Sequence, residues 1–351
     1  MHKLPFAWNR DDVDILKAVN RANGKLGELN GVMNTLPNPK VILNAVLLGE
    51  AKESSAIENI VTTFDEVFKE LAMNNQDSAS KEVVHYRQAA LYGFEEVRKN
   101  ELINPNMIEA IHHIIDPAVG GIRRIPGTAI LNTKTKEILH TPPQSEEDIR
   151  DYLKNLTEYI NYDELEDIDP LIKMAILHYQ FESIHPFYDG NGRTGRILNV
   201  LYLVLKGRLS LPVLYLSKYI NRTRDRYYQR LDALQNDLNQ LKDYVIYMVD
   251  GVYETCVFTL DFIDMFRKCM EACQSTVKSR LPKIYSEELI TYLFYDFYTK
   301  NDYLREKLSI SRNTAGKYLK ELEKIGVLTS EKVGKEKLYK NNYLFELIQK
   351  W

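Results

Sequence analysis

Apolar residues recur at spacings of three and four in residues 41–48, 64–71, 149–160, 171–181, 197–205 and 228–241, each run bounded by Asn, Asp, Pro or Gly. That period marks one face of a helix, so the pattern predicts a mainly α fold. One stretch breaks the habit. Residues 120–143 are rich in β-branched and turn residues, with 132–136 as the tip, and read as a lone β-hairpin on a helical body. A hairpin is marginally stable alone, so this one must lie against something. The polar segment 73–80 is expected to join an N-terminal helical region to the next part. After Pro282 the pattern changes to a helix at 286–298, a short helix at 301–308, a tight turn at 309–311, a third helix at 312–325 and two short strands around Gly334. The expected division is therefore an N-terminal helical region, 1–95; a helical body carrying the hairpin, 96–250; a connecting helix, 251–282; and a C-terminal domain, 283–351.

Composition narrows this picture. A chain of 351 residues is too long for one ordinary domain, and 44% hydrophobic residues exclude wholesale disorder. With 46 Lys and Arg against 49 Asp and Glu, the net charge of -3 excludes a general basic coat for nucleic acid or membranes. Along the chain, however, the charge divides into -8 over residues 1–299 and +5 over 300–340. Cys256, Cys269 and Cys273 make no disulfide framework, and no His pair accompanies Cys269 and Cys273 at zinc-site spacing. There is no apolar run of signal-peptide or membrane-spanning length. A cytoplasmic protein without a membrane partner is the expectation.

The run His185-Pro-Phe-Tyr-Asp-Gly-Asn-Gly-Arg-Thr-Gly-Arg196 concentrates the chemistry. Proline disfavours helical geometry in the residue before it, so one helix ends before Pro186. Another begins around Arg193, since helical period continues through 197–205. Between them Gly190, Asn191 and Gly192 are able to take positive φ, so that successive N–H groups converge into an anion nest. The nest opens onto a helix N-terminus, whose free amides and dipole favour phosphate. Arg193 and Arg196, at i and i+3, offer two planar forks for phosphate oxygens. Asp189 adds a hard carboxylate suited to a magnesium ion bridging those phosphates. His185, with an ordinary pKa of about 6.5, is the side chain of the loop able to take a hydroxyl proton at neutral pH. Elsewhere His112 and His113 read as packing or surface residues, and His178 as structural near the loop.

This loop resembles the signature of the Fic (filamentation induced by cAMP) family, H-P-F-x-D/E-G-N-G-R-x-x-R, with every fixed position filled, and the resemblance extends over roughly residues 100–250. It implies a Fic-type helical bundle with a β-hairpin flap, and transfer of AMP from ATP to a protein hydroxyl with release of pyrophosphate. His185 is then the general base for a Ser, Thr or Tyr hydroxyl, Phe187 a core anchor, and Asp189 the Mg²⁺ ligand. Gly190, Asn191, Gly192, Arg193, Thr194, Gly195 and Arg196 hold the ATP phosphates, the two arginines taking the distal ones. Glu137, Ile138, Leu139 and His140 form the flap, pairing edge-on with an extended target segment. Tyr227 and Gln235 fall where relatives line the adenine and ribose pocket. Members of the family also transfer phosphocholine or other nucleotides or remove AMP, and they commonly form homodimers, so these stand as further expectations.

Upstream, Ser54-Ser-Ala-Ile-Glu-Asn59 resembles the family's inhibitory pattern S/T-x-x-x-E-G/N. Ser54 and Glu58 are i, i+4 and share a helical face. The likeness implies that Glu58 reaches Arg196 and takes the place of the ATP γ-phosphate, because a carboxylate imitates a phosphate oxygen pair for an arginine fork. ATP then binds with its α-phosphate misaligned. The basic segment 300–340 resembles a winged helix-turn-helix whose Arg312, Asn313, Thr314 and Lys317 face a DNA major groove, with Lys335 and Lys337 on the wing. The same fold serves protein interaction or dimer packing equally well. A DNA-binding regulator whose body only senses nucleotide is the non-enzymatic alternative, and His185 argues against it, since a sensor needs the phosphate groups but not the base.

Overall fold

The computed structural model describes residues 1–73, 79–118, 120–131, 138–295 and 297–350. The expected linker at 73–80 falls largely outside that set, as do the hairpin tip at 132–136 and Glu137. In chain order the elements are α1 (Val13–Thr35), α2 (Pro39–Ile57), α3 (Phe64–Met73), α4 (Ala79–Asn100), α5 (Pro105–Ile115), β1 (Ile130–Leu131), β2 (Ile138–His140), α6 (Glu146–Asn161), α7 (Pro170–Ile184), α8 (Asn191–Leu205), α9 (Leu216–Arg222), α10 (Arg224–Asn236), α11 (Leu241–Arg280), α12 (Glu287–Tyr295), β3 (Tyr298–Thr299), α13 (Asn301–Lys307), α14 (Arg312–Lys324), β4 (Leu328–Val333), β5 (Glu336–Asn341) and α15 (Asn342–Lys350). The fold is mainly α, as the periodicity predicts. Two compact units form: one from residues 1–35, 46–61 and 82–257, the other from 36–45, 62–81 and 258–351.

In the first unit the central pair is α7 and α8. Of the residues of α7 only Pro170 and Glu182 are not buried, and α8 is buried from Arg193 through Leu203. A helix buried on every face belongs at the centre of a core, so the other helices surround this pair. Local signals start α5, α6 and α7. Asn104 accepts a hydrogen bond from the Met107 amide ahead of Pro105, Ser145 accepts one from Asp148, and Asp169 accepts one from Leu171 ahead of Pro170. These are N-caps that satisfy free first-turn amides, with proline at the position where no N–H is needed. The β1 and β2 strands pair antiparallel, Ile130 with His140 and Leu131 with Ile138.

The helix expected at 228–241 is interrupted. Helix α10 ends at Asn236, Asp237 turns extended at φ -150°, and its side chain caps a short 3-10 turn, Leu238–Gln240, before α11 begins. Apolar spacing continues across the break, whereas the Asp cap ends the first helix. The later part of α11 is the segment expected as a connecting helix at 251–282.

The second unit holds a sheet of order β3-β5-β4, all antiparallel. The helix expected at 286–298 stops at Tyr295, because Tyr298 and Thr299 pair with Lys340 and Tyr339 of β5. Phe297 stacks on Phe68, ring centroids 3.5 Å apart, and Phe345 meets both edge-on. Ser311 caps α14 through the Thr314 amide, and Gly334 at φ +58° turns β4 into β5.

Candidate active site

The loop between α7 and α8 is held from several sides. His185 ends α7 in the left-handed region at φ 46°, and Phe187 is buried beneath it with its ring stacked on His112, centroids 3.7 Å apart. His112 also holds the Asp189 carbonyl at 2.9 Å through Nε2. The buried guanidinium of Arg123 donates to the His185 carbonyl at 2.8 Å and to that of Pro143. Asn191 folds back on Phe187, its Oδ1 accepting from the Phe187 amide at 2.9 Å and its Nδ2 donating to the Phe187 carbonyl at 2.8 Å. The expectation of three positive-φ residues is thereby corrected. Gly190 alone takes positive φ, 70°, while Asn191 and Gly192 are already helical, and α8 starts two residues earlier than Arg193. The amides of Asn191, Gly192 and Arg193 precede the first helical bond, from the Thr194 amide to the Gly190 carbonyl, and so remain a helix-terminal anion site.

At this N-terminus two buried guanidiniums meet a set of carboxylates. Glu58 Oε2 accepts from Arg193 Nε at 2.7 Å and Glu58 Oε1 from Arg196 Nη2 at 2.9 Å, so one carboxylate bridges both arginines. Arg196 also donates to the Ser54 hydroxyl at 2.7 Å and the Ser54 carbonyl at 3.0 Å. The latter is a last-turn carbonyl of α2, where a cation is favoured. Arg193 further contacts Glu82 through Nη1 and Asp189 through Nη2, the second at 3.5 Å. Both guanidiniums are only 2% exposed. Burial works against their charge, yet Glu58 above all, joined at Arg193 by Glu82 and Asp189, holds both above the ordinary arginine range.

Glu58 is not within a helix as its i, i+4 relation to Ser54 suggests. It lies one residue beyond α2, in a turn closed by the Ile60 amide on the Ser55 carbonyl at 3.0 Å. Asn59 follows at φ 65°, the left-handed position at which helices stop and which Gly or Asn adopts most readily, and its side chain accepts from Arg224 at 3.0 Å. That stop aims Glu58 at the arginines. Gly192 makes room for it, since a Cβ there would lie 2.7 Å from both Glu58 Oε1 and Arg196 Nη1.

Around the loop, burial, with the Arg123 guanidinium nearby, pushes the His185 imidazole down to about 4. Burial likewise raises the Glu182 carboxyl, one turn earlier on α7, to about 7. Asp189 projects outward, its side chain 70% exposed. Thr194 donates to the Gly190 carbonyl at 2.9 Å, and Gly195 faces Glu182, Phe181 and His178. Tyr227 is buried with its hydroxyl 2.7 Å from His178 Nε2, and Gln235 donates to Ser183 at 2.6 Å. On β2, Ile138 is 64% exposed, and His140 Nε2 lies 2.9 Å from the Ser183 carbonyl. Arg312, Asn313 and Lys317 are exposed on α14 in the second unit, and Thr314 pairs with Ser311. Arg123, His112 and Glu82 carry no sequence signal of their own, since their partners lie 62, 77 and 111 positions away.

Residues 16–95 match the Fic/DOC family N-terminal model and residues 102–203 the Fic/DOC family model, together more than half of the chain. Residues 269–344 match the family described as protein adenylyltransferase SoFic-like, C-terminal domain. The chain is 35% identical over 108 residues to protein adenylyltransferase fic-1 of Caenorhabditis elegans, covering 30% of this chain and 19% of that protein. It spans less than a third of the length of the first curated relatives it matches. A Fic family protein from Desulfovibrio desulfuricans superposes with a TM-score of 0.60 at 16% identity, over 97% of this chain and 98% of that one. Fic-1 of Caenorhabditis elegans, residues 134–508, superposes with a TM-score of 0.52 at 21% identity, over 70% and 74% of the two chains. At those identities the structural likeness is one of fold.

Proposed function

Because the chain belongs to the Fic/DOC family, we propose that it is a protein adenylyltransferase that moves AMP from ATP to a Ser, Thr or Tyr hydroxyl of a target protein or of itself, restrained by Glu58. The observation that carries the reading is the bridging of Arg193 and Arg196 by one carboxylate at the free N-terminus of α8, at the far end of the loop that His185 opens. A carboxylate shared by two arginine forks marks a place where phosphate oxygens fit. The amides of Asn191 to Arg193 would take further phosphate oxygens. In the step itself the target oxygen bonds to the α-phosphorus, its proton passes to His185, and the bond to pyrophosphate breaks. The hairpin residues Ile138 to His140 would lay the target segment beside the loop, and Tyr227 and Gln235 would border the nucleoside.

Asp189 fits Mg²⁺. Its carboxylate is exposed on the loop, and magnesium is commonly held by one or two carboxylates, the substrate phosphates and water. Among the described residues no cluster of three or more His, Cys, Asp or Glu is placed to hold a metal by protein alone. When bound there, the ion would neutralise charge on the phosphates. Incubation with ATP and magnesium, followed by intact-mass measurement, should add the mass of AMP less water to the chain or to a co-purified target. Unchanged masses for a Glu58→Gly chain and for the proteins incubated with it would overturn the reading.

We further propose that residues 283–351 form a winged helix whose Arg312, Asn313, Thr314 and Lys317 contact DNA. Support comes from the exposure of Arg312, Asn313 and Lys317 on a capped helix and from the excess of 11 Lys and Arg over 6 Asp and Glu across residues 300–340. A gel shift of the full chain on duplex DNA should weaken as salt rises, with a shallower dependence for Arg312→Ala with Lys317→Ala. No shift at low salt would leave a protein interface. No helix among the described residues is long and apolar enough to cross a membrane. With Cys256, Cys269 and Cys273 as thiols outside any disulfide among the described residues, a cytoplasmic homodimer is the setting we propose.

A further inference from the structure

The donors of Arg193 are divided among three carboxylates that come from three places in the chain. Nε faces Glu58 beyond α2, Nη1 faces Glu82 in the first turn of α4, and Nη2 faces Asp189 in the loop. Arg196 is held differently, by Ser54 and Glu58, with no contact to Glu82. Removing Glu58 therefore frees Arg196 from its carboxylate while Arg193 keeps two. We propose that Glu82 is a second restraining residue, acting on Arg193 alone, that competes with the phosphates of the nucleotide after Glu58 has withdrawn. This rests on the reading of the site as an ATP site and deepens it: release takes place in two stages, by two segments of the chain.

Charge and exposure support the assignment. Among the groups in direct contact, two guanidiniums facing three carboxylates leave an excess of one negative charge, to which the nearby Glu182 carboxyl adds when ionised, and this opposes a polyanionic ligand. Loss of Glu58 brings the balance to zero, and loss of Glu82 as well brings it to one positive. The Glu82 side chain is 39% exposed, so it can leave Arg193 for solvent, whereas the arginine is buried and stays in place. Glu82 occupies a helical position where alanine is well tolerated, which makes its removal a clean perturbation. Glu82 touches Arg193 and not the reacting atoms, so its part is one of positioning.

The test compares Glu58→Ala with Glu58→Ala plus Glu82→Ala, measuring ATP and adenosine binding by titration calorimetry and AMP incorporation in parallel. The double variant should bind ATP about tenfold more tightly than Glu58→Ala, while adenosine affinity stays within about twofold. A general loosening of the fold would move both ligands together. Equal ATP affinity in the two variants, or equal gains for ATP and adenosine, would overturn the role of Glu82 while leaving the transferase reading to stand on incorporation by Glu58→Ala. Tighter ATP binding without incorporation in either variant would remove the transferase reading and keep the second restraint. No ATP binding in any variant would remove both. Glu82→Gln, which keeps shape and sheds charge, should fall between Glu82→Ala and the unaltered residue.

Discussion

Glu58→Gly is expected to raise AMP incorporation on the order of 100-fold over the unaltered chain, the scale of rate lost when a reacting group sits about an ångström out of line. The expectation follows from one carboxylate occupying donors of both Arg193 and Arg196, which are the donors that phosphates would use. The variant should remain folded, because Ser54 still holds Arg196, and Glu82 and Asp189 still hold Arg193. It should nonetheless be less stable by roughly 3 kcal/mol, the lower end for breaking a buried ion pair, since the remaining partners share the load. ATP at about 100 times its Kd would add back about 2.7 kcal/mol. Thermal melts with and without nucleotide, run beside labelled-ATP incorporation, would therefore show a lower starting midpoint and a larger shift with ATP. Equal incorporation with and without Glu58 would show that it does not restrain the site.

His185→Ala in the Glu58→Gly background should lower incorporation by about 10²- to 10⁴-fold, the usual worth of a positioned proton acceptor. The pH profile is the more specific measurement. Burial and Arg123 depress the imidazole from 6.5 to about 4, and a base with a lowered pKa is mostly uncharged once the pH is about a unit or more above that value. It can accept a proton across the neutral range, so the limb of the profile that belongs to His185 should fall only as pH drops through about 4. A limb centred near 6.5 would mean that the acting imidazole is an ordinary solvated one. Substitution at Phe187 or His112 is a poor substitute for this test, because their stacking shapes the whole loop.

What was legible in the sequence was what is local. The His185 to Arg196 run could be read because turn, helix start and both arginines lie within twelve residues, and Glu58 because its spacing to Ser54 and Asn59 is a short pattern. Helical spacing found the central elements for the same reason. The chain did not disclose that Glu58 stands outside its helix, since backbone angles at Asn59 decide that and an apolar pattern is indifferent to them. Asn191 is of a type that permits positive φ, which points to a nest residue, whereas its two hydrogen bonds to Phe187 make it a brace. The break at Asp237 hid behind apolar spacing that continues on either side of it. Glu82 is an ordinary acidic residue at the start of an ordinary helix, and only the folded arrangement brings it to Arg193.

The burial of Arg193 and Arg196 also limits the kind of signal that can open the site. Dissolved ions weaken attraction between charges they can surround, over about 8 Å at physiological ionic strength. Guanidiniums 2% exposed leave them little access, so a change in the salinity of the medium should leave the arginines engaged. Displacement acts differently. Hydrogen bonds of 2.7 and 2.9 Å are lost when one partner moves by about an ångström, and both bonds of Glu58 hang on the single turn at residues 58–60. Anything that pulls on that turn would part Arg196 from its carboxylate and Arg193 from one of its three in one movement, which makes this first step responsive to mechanical strain and insensitive to the ionic background.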